Sequence, residues 1–427
     1  MNHLHPCIED HCFINRLPDE IFAQIFEELY CHHISFCSRT QGSPLIPTHV
    51  CRRWRAISIS LPSIWKCIHI DTMKPSNYEH ILGLYLERSE PLPLSIFLSV
   101  VSRHLDPQWS RFAGGEEWTR IVKHWNLILA HRYRWQHLSC VWQLHEVARS
   151  LMGTLQLSEL PQLTQLHVLA SSDLPSIVEM EEWTVDVPRL TELSLSNTIL
   201  RFGGSMLLNV KEMTLRDQGM GTDQDYLRTI AAGSPKLEML CLWSLATRRL
   251  RLASFPALRH LHLHSCGPWV MPAIDAPLVD TIRIADPFLD YSSLGLQAER
   301  YESLRQLELA YCRPALMKRY IGAFASASVV RVYKLCSDWI NILAEDLNVL
   351  PSLTVISISY SRAENINLPP LPMLDILLSS RATPYGSLRT FKLDCDPYED
   401  RLMQALAAFP QVEVVKEISD WYEEVGY

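Results

Sequence analysis

The sequence is poor in glycine. It has 15 glycines against 26 prolines in 427 residues, a balance that favours fixed turns over flexible linkers. It has no surplus of positive charge either: 39 Lys and Arg face 47 Asp and Glu, for a net charge of −8. Nucleic acid and anionic membrane surfaces both select clustered cations, so neither is an expected partner. No apolar run approaches the roughly 20 residues that span a bilayer, and Met1 to Phe13 lack a basic stretch followed by an apolar one. The 12 cysteines fall at no regular spacing, as reduced thiols do, and the chain is read as intracellular, cytoplasmic and/or nuclear.

Catalytic signatures are missing as well. There is no Gly-rich loop ending in Lys-Ser/Thr, no Gly-x-Gly-x-x-Gly after a strand, no His-Glu-x-x-His and no Gly-x-Ser-x-Gly. No residue is therefore assigned a catalytic role, and the expectation is a non-enzyme without cofactor or metal. Cys31-His32-His33 with Cys37 lack a paired Cys-x-x-Cys spacing and a second half, as do His3, His5, Cys7, His11 and Cys12; both groups are read as solvated polar segments.

What is present is ample material for burial, with 48% hydrophobic and 20% charged residues. A chain this long exceeds one core, so a small domain plus a large one or a repeat array is expected. The organising stretch is residues 14 to 65. Pro18 suits a first helical turn, where a missing N–H costs nothing, and Asp19 and Glu20 suit the positive end of a helix dipole. The spacing predicts a helix from Pro18. At 100° per residue, Leu17, Ile21, Phe22, Ile25, Phe26, Leu29 and Tyr30 sweep about 220° of its circumference, more than the roughly 100° that one core consumes. A second amphipathic helix follows, with Val50, Trp54, Ile57 and Leu61 on one line and Leu61-Pro62 closing it. The two form a hairpin with an apolar face left over.

The opening Leu17-Pro18-Asp19-Glu20-Ile21, the run Val50-Cys51-Arg52-Arg53-Trp54-Arg55 and the closing Leu61-Pro62-Ser63-Ile64-Trp65 resemble the F-box in order and length. The linker Cys31 to Pro47 is longer and richer in His than the family's short turn. The resemblance implies docking on a Skp-family adaptor, and through it on a cullin in a ubiquitin ligase. The adaptor would meet Leu17, Pro18, Ile21, Ile25, Leu29, Val50 and Trp54.

Beyond Trp65, Ile68 and Ile70 read as a strand, 78–88 as a helix, the alternating Leu94, Ile96, Leu98 and Val100 as another strand, and 118–132 as a helix. One motif then recurs: apolar, two others, apolar, one other, apolar. It occurs at Trp135/Leu138/Cys140, Leu163/Leu166/Val168, Leu190/Leu193/Leu195, Val210/Met213/Leu215, Leu237/Leu240/Leu242, Leu258/Leu261/Leu263, Val279/Ile282/Ile284, Leu304/Leu307/Leu309, Val330/Tyr333/Leu335, Leu353/Ile356/Ile358 and Leu388/Phe391/Leu393, with a weak copy at Val412/Val415. Each copy reads as a short strand that is useless alone and buries its apolar side by stacking into a parallel sheet. Helix-like segments lie between copies at 226–232, 315–324, 339–350, 373–378 and 400–408. Three residues past the last apolar one, Ser171, Thr198, Cys266, Cys312, Asp338, Ser361 and Asp396 suit a place that satisfies turn backbone.

The expected fold class is thus α/β: a small all-α module, then an irregular solenoid of parallel strands with helices on the convex side. The divisions read from the sequence are 1–13 disordered, 14–65 hairpin module, 66–132 junction, 133–418 solenoid and 419–427 tail. The array resembles the divergent leucine-rich-repeat tails of F-box proteins, frequent in the large families of mushroom-forming fungi. That implies a substrate-recognition subunit of an SCF-type ubiquitin ligase with an unknown target protein, or, as the alternative, a repeat scaffold that binds the adaptor without ubiquitin delivery. Strand alternation sets His260, His262 and His264 opposite the core, with Cys241 and Trp243 in the preceding copy and Arg283 in the next. Trp243, His262, His264 and Arg283 are the expected target-binding patch, since Trp and Arg are typical interface anchors; a zinc site there needs four converging ligands.

Overall fold

A computed structural model describes residues 13–31, 44–71, 78–100, 116–142, 151, 153–155, 159–170, 178–183, 187–202, 207–216, 224–245, 250–267, 269–285, 298–310, 324–333, 343, 350–359, 377–379, 388–394 and 412–416. It is a mixed α/β chain of parallel strands and helices that divides into two compact units: Met1–Leu174 with Trp183–Leu190, and Pro175–Glu182 with Thr191–Tyr427.

The first unit opens with the helices α1 (Asp19–Cys31), α2 (Leu45–Thr48) and α3 (Arg52–Ile59). Helix α1 begins one residue later than the sequence predicts. The Pro18 carbonyl accepts from the N–H groups of Ile21 and Phe22 at 3.1 and 3.3 Å, so Pro18 precedes the first turn instead of lying in it. Helix α3 is shorter than its apolar line. Cys51 caps it, Sγ accepting from the Trp54 N–H at 3.4 Å, which leaves Val50 before the helix and Leu61 after it. Phe22, Phe26, Ile57, Ile64 and Trp65 form the core of the hairpin. Trp54 packs edge-on against Phe26 (5.4 Å) and tilted against Phe22 (5.2 Å). Arg53 pins α3 to the start of α1, donating to Asp19 Oδ1 at 2.7 Å and to the Leu17 carbonyl at 2.5 Å.

Strand β1 (Cys67–Asp71), helix α4 (Tyr78–Arg88), β2 (Leu94–Val100), α5 (Glu116–Leu129), β3 (Trp135–Trp142) and β4 (Gln165–Ala170) complete this unit. The strands pair in parallel in the order β1-β2-β3-β4, with Ile68, Ile96, Leu138 and Leu166 side by side. The parallel ladder thus already includes two strands inside the 66–132 segment that the sequence presents as a junction. Trp65 and Trp125 are fully buried, as are Trp135 and Trp142 at the two ends of β3. Arg134, 4% exposed, closes the end of α4 by donating to the carbonyls of Ser89 at 2.9 Å and Leu92 at 2.7 Å.

The second unit contains β5 (Val178–Trp183), β6 (Glu192–Ser196), β7 (Thr198–Phe202), β8 (Glu212–Arg216), α6 (Tyr226–Gly233), β9 (Met239–Trp243), β10 (Ala253–Ser254), β11 (His260–His264), β12 (Ile274–Asp275), β13 (Thr281–Ala285), β14 (Gln306–Ala310), β15 (Val329–Tyr333), β16 (Val355–Ser359), β17 (Thr390–Asp394) and β18 (Glu413–Lys416). The pairs β5/β7 and β10/β12 are small side ladders. The others run parallel in the order β6-β8-β9-β11-β13-β14-β15-β16-β17-β18. Among the copies whose burial is described, the two apolar positions within each strand point into the core: Leu240, Leu242, Leu261, Leu263, Ile282, Ile284, Leu307 and Leu309 are all buried. A turn precedes the seven strands from β8 to β16 in this ladder in the same way, with N–H groups of Val210, Leu237, Leu258, Val279, Leu304, Ala327 and Leu353 each donating three residues back. Past the strand, Asn197, Ser244 and Ser265 adopt left-handed φ of 50°, 54° and 49° at equivalent places, and each donates its N–H to the next copy at 2.7 to 2.9 Å.

Two copies of the motif differ from their sequence reading. Leu307 pairs with Val330 and Leu309 with Val332, so the copy read as Val330/Tyr333/Leu335 is Ala327/Val330/Val332. Alanine is a weak apolar marker, and the run Val329 to Val332 offered a stronger but wrong frame. At the last strand Phe391 pairs with Val414, not Val415, a shift of one residue that exchanges the faces. Helix α4 covers the residues expected of it, α5 starts two residues before the expected 118, and α6 runs one past the expected 232. The helical segments expected at 315–324, 339–350, 373–378 and 400–408 lie wholly or mostly outside the described residues.

Candidate functional site

The leftover apolar surface expected of the hairpin is present. Ile21 is 38% exposed, Ile25 37%, Leu29 54% and Val50 56%, and Ile46 on α2 is 56% exposed, although each has the composition of a core residue. Pro18 is exposed, while Leu17 and Trp54 are half-buried. The 220° apolar arc of α1 is therefore divided. Phe22 and Phe26 turn inward against Trp54, and Ile21, Ile25 and Leu29, one turn apart, face away. Trp54 is thus a wall of the hairpin core more than a solvent-facing anchor. Ile14, Ile46 and Ile59 are further exposed apolar residues of this module that sequence reasoning missed, Ile46 because it lies in a four-residue helix too short to show a period.

A second cluster lies on the outward side of the second unit's sheet. Cys241, His262 and Arg283 stand on neighbouring strands at paired positions, and Trp243 and His264 stand paired two residues further along. The Trp243 indole lies flat on the His264 imidazole with centroids 3.8 Å apart, its Nε1–H donates to Cys241 Sγ at 3.0 Å, and the Arg216 guanidinium sits 4.2 Å over its ring. Arg283 donates to Glu308 at 2.5 Å, and Glu308, 2% exposed, also accepts from Gln306 and Arg331. The expected patch does come together, but it is not a row of free side chains. His264 is only 5% exposed and Arg283 is committed to a buried carboxylate.

Neither a family model nor a curated protein matches this chain.

Burial sets the electrostatics of the cluster. It pushes the Cys241 thiol up to about 11, against the opposing pull of the Trp243 hydrogen bond and of Arg216 and Arg283. It holds both His262 and His264 down to about 3, helped at His262 by Arg283 and at His264 by its neighbour His262. Two neutral imidazoles and one sulfur result, with ligand atoms all within 4.8 Å of one another. Of the residues expected past the strand, Cys266 does act on turn backbone: its buried Sγ–H lies 3.2 Å from the Leu242 carbonyl. Ser171, Cys312, Asp338, Ser361 and Asp396 lie outside the described residues, as do His3, His5, Cys7, His11, Cys12, His32, His33 and Cys37. Among the described residues no helix is long and apolar enough to cross a membrane.

Proposed function

We propose that this chain is a substrate-recognition subunit of an SCF-type ubiquitin ligase: residues 14–65 are an F-box that docks on a Skp-family adaptor, and the strands that follow are a divergent leucine-rich-repeat array that holds a target protein. The observation that carries this reading is the set Ile21, Ile25 and Leu29 along the outward side of α1, with Ile46 and Val50 exposed elsewhere on the same module, while Phe22, Phe26, Ile57, Ile64 and Trp65 fill its core. A surface of that kind is costly to leave in water and marks a docking site. The repeating turn, strand and left-handed residue support the repeat half of the reading. In this role the protein does no bond chemistry. It brings a target lysine near a ubiquitin-charged enzyme carried elsewhere in the assembly, and the gain is effective concentration.

The test is a pulldown from cells with the intact protein and with residues 14–65 deleted. Recovery of a Skp-type adaptor together with a cullin by the intact chain alone is the expected result. Recovery of adaptor without cullin would replace ubiquitin delivery with a scaffold role, and recovery of neither would overturn the assignment.

A further inference from the structure

The cluster of one sulfur and two imidazoles on β9 and β11 has a chemistry that protein docking does not use. We propose that Cys241, His262 and His264 bind a single thiophilic d¹⁰ metal ion, Zn²⁺ or Cu⁺, as a three-ligand site with one open position. The geometry is built by the sheet. Cys241 and His262 are directly paired across parallel strands, and His264 follows His262 on the same face two residues on, so the sheet register itself brings three donors to one side. Their ligand atoms lie within 4.8 Å of one another. Metal bonds of about 2.0 Å to nitrogen and about 2.3 Å to sulfur require the three donors to close in from this spacing.

The surroundings suit the ion. A donor onto the sulfur is already in place, the Trp243 Nε1–H at 3.0 Å, and the same indole fixes the His264 ring plane by stacking. Such outer contacts orient metal ligands and tune them. Burial raises the Cys241 thiol, and Arg216 and Arg283 offset only part of that, so the ion itself must draw off the proton; Arg283 is balanced by Glu308. One thiolate with two imidazoles is a soft set that excludes Mg²⁺ and Ca²⁺, which take oxygen ligands. On binding, the metal–sulfur bond forms as the Cys241 S–H proton leaves to solvent, and nothing is oxidised or reduced.

The experiment uses the full-length reduced protein with Zn²⁺, with Cu⁺ and with Co²⁺ as a spectroscopic stand-in, each in competition with a chelator. Other cysteines and histidines in the chain are controlled by comparison with His262→Asn and Cys241→Ser. The expected result is one more equivalent of Zn²⁺ or Cu⁺ in the wild type than in either variant. Affinity at that equivalent should fall by about 100-fold or more, since even an outer partner of a metal ligand is worth roughly 10- to 100-fold. A thiolate-to-Co²⁺ absorption band should vanish in Cys241→Ser. The half-buried His262 is the variant that keeps the fold intact, checked by an unchanged thermal melt. Equal stoichiometry and an equal cobalt spectrum in wild type and both variants would overturn the site. Adaptor pulldown by the same variants should be unaffected, which separates failure of this site from failure of the receptor reading.

Discussion

The indole of Trp243 and the imidazole of His264 lie 3.8 Å apart and 4° from parallel, joining the paired strands β9 and β11 on their outward side. This pair changes what mutation of the patch should do. Trp243 is a packing element between Arg216, His264 and Cys241, and Arg283 is a counter-charge for a buried carboxylate.

Truncating the patch is therefore expected to cost stability. Arg283→Ala leaves Glu308 with Gln306 and Arg331 only, and should lose about 2 kcal/mol of unfolding free energy. Trp243→Ala should lose a similar amount through the stacked ring and the sulfur contact, about 1–3 kcal/mol. Urea titration of each variant measures this. Wild-type midpoints for both would restore Trp243 and Arg283 as free binding anchors.

The two faces of β11 should respond oppositely to one substitution. Leu261 is fully buried, so Leu261→Asp puts a carboxylate between stacked strands and should unfold the neighbouring copies, a loss above about 4 kcal/mol. His262→Asp lies half-buried beside Arg283, which Glu308 already engages, and should cost much less than Leu261→Asp, about 1–2 kcal/mol. Similar losses from both would show that the strand faces are assigned the wrong way round.

In the hairpin, Ile21→Asp with Ile25→Asp adds charge where side chains already meet water, so stability should shift by less than about 1 kcal/mol. Adaptor binding should weaken by about 3 kcal/mol, on the order of 100-fold in Kd. Phe22→Ala, at a 1% exposed core position, should instead destabilise the module by about 3–5 kcal/mol. A double mutant that still captures adaptor at wild-type level removes this face from the interface.

Acid should weaken the first unit through His137 and His167. Burial holds His137 down to about 4, and burial together with His137 holds His167 down to about 3. Both folded values lie below the unfolded value of about 6.5, so protonation favours the unfolded chain. The stability tied to the neutral rings is complete above about pH 6.5 and is lost as pH falls toward the folded values. At pH 5, about 1.5 units below the unfolded value, the loss should be about 2 kcal/mol per imidazole. Unfolding measured at pH 7 and pH 5, in wild type and in His137→Gln/His167→Gln, checks this; an acid loss undiminished in the double variant assigns it to other groups.

Features that depend on neighbours along the chain are legible in residue order. The 3.6-residue period of α1 and α4 and the alternation of the strands name the apolar sets. Alternation fixes which side of Leu240/Leu242 or Leu261/Leu263 faces inward, because slipping one residue would expose the whole set. The excess of apolar arc on α1 was legible too, although its division was not: Phe22 and Phe26 went inside because Trp54, about thirty residues later, offers them an aromatic wall. The outward row is set by packing across strands. Whether His264, Cys241 or Glu308 meets water depends on what stands one strand away, 20 or more residues along the chain, and no local period carries that information. The same holds for the frame at Ala327/Val330/Val332, where a small residue takes a large one's place and only pairing with Leu307 and Leu309 identifies it.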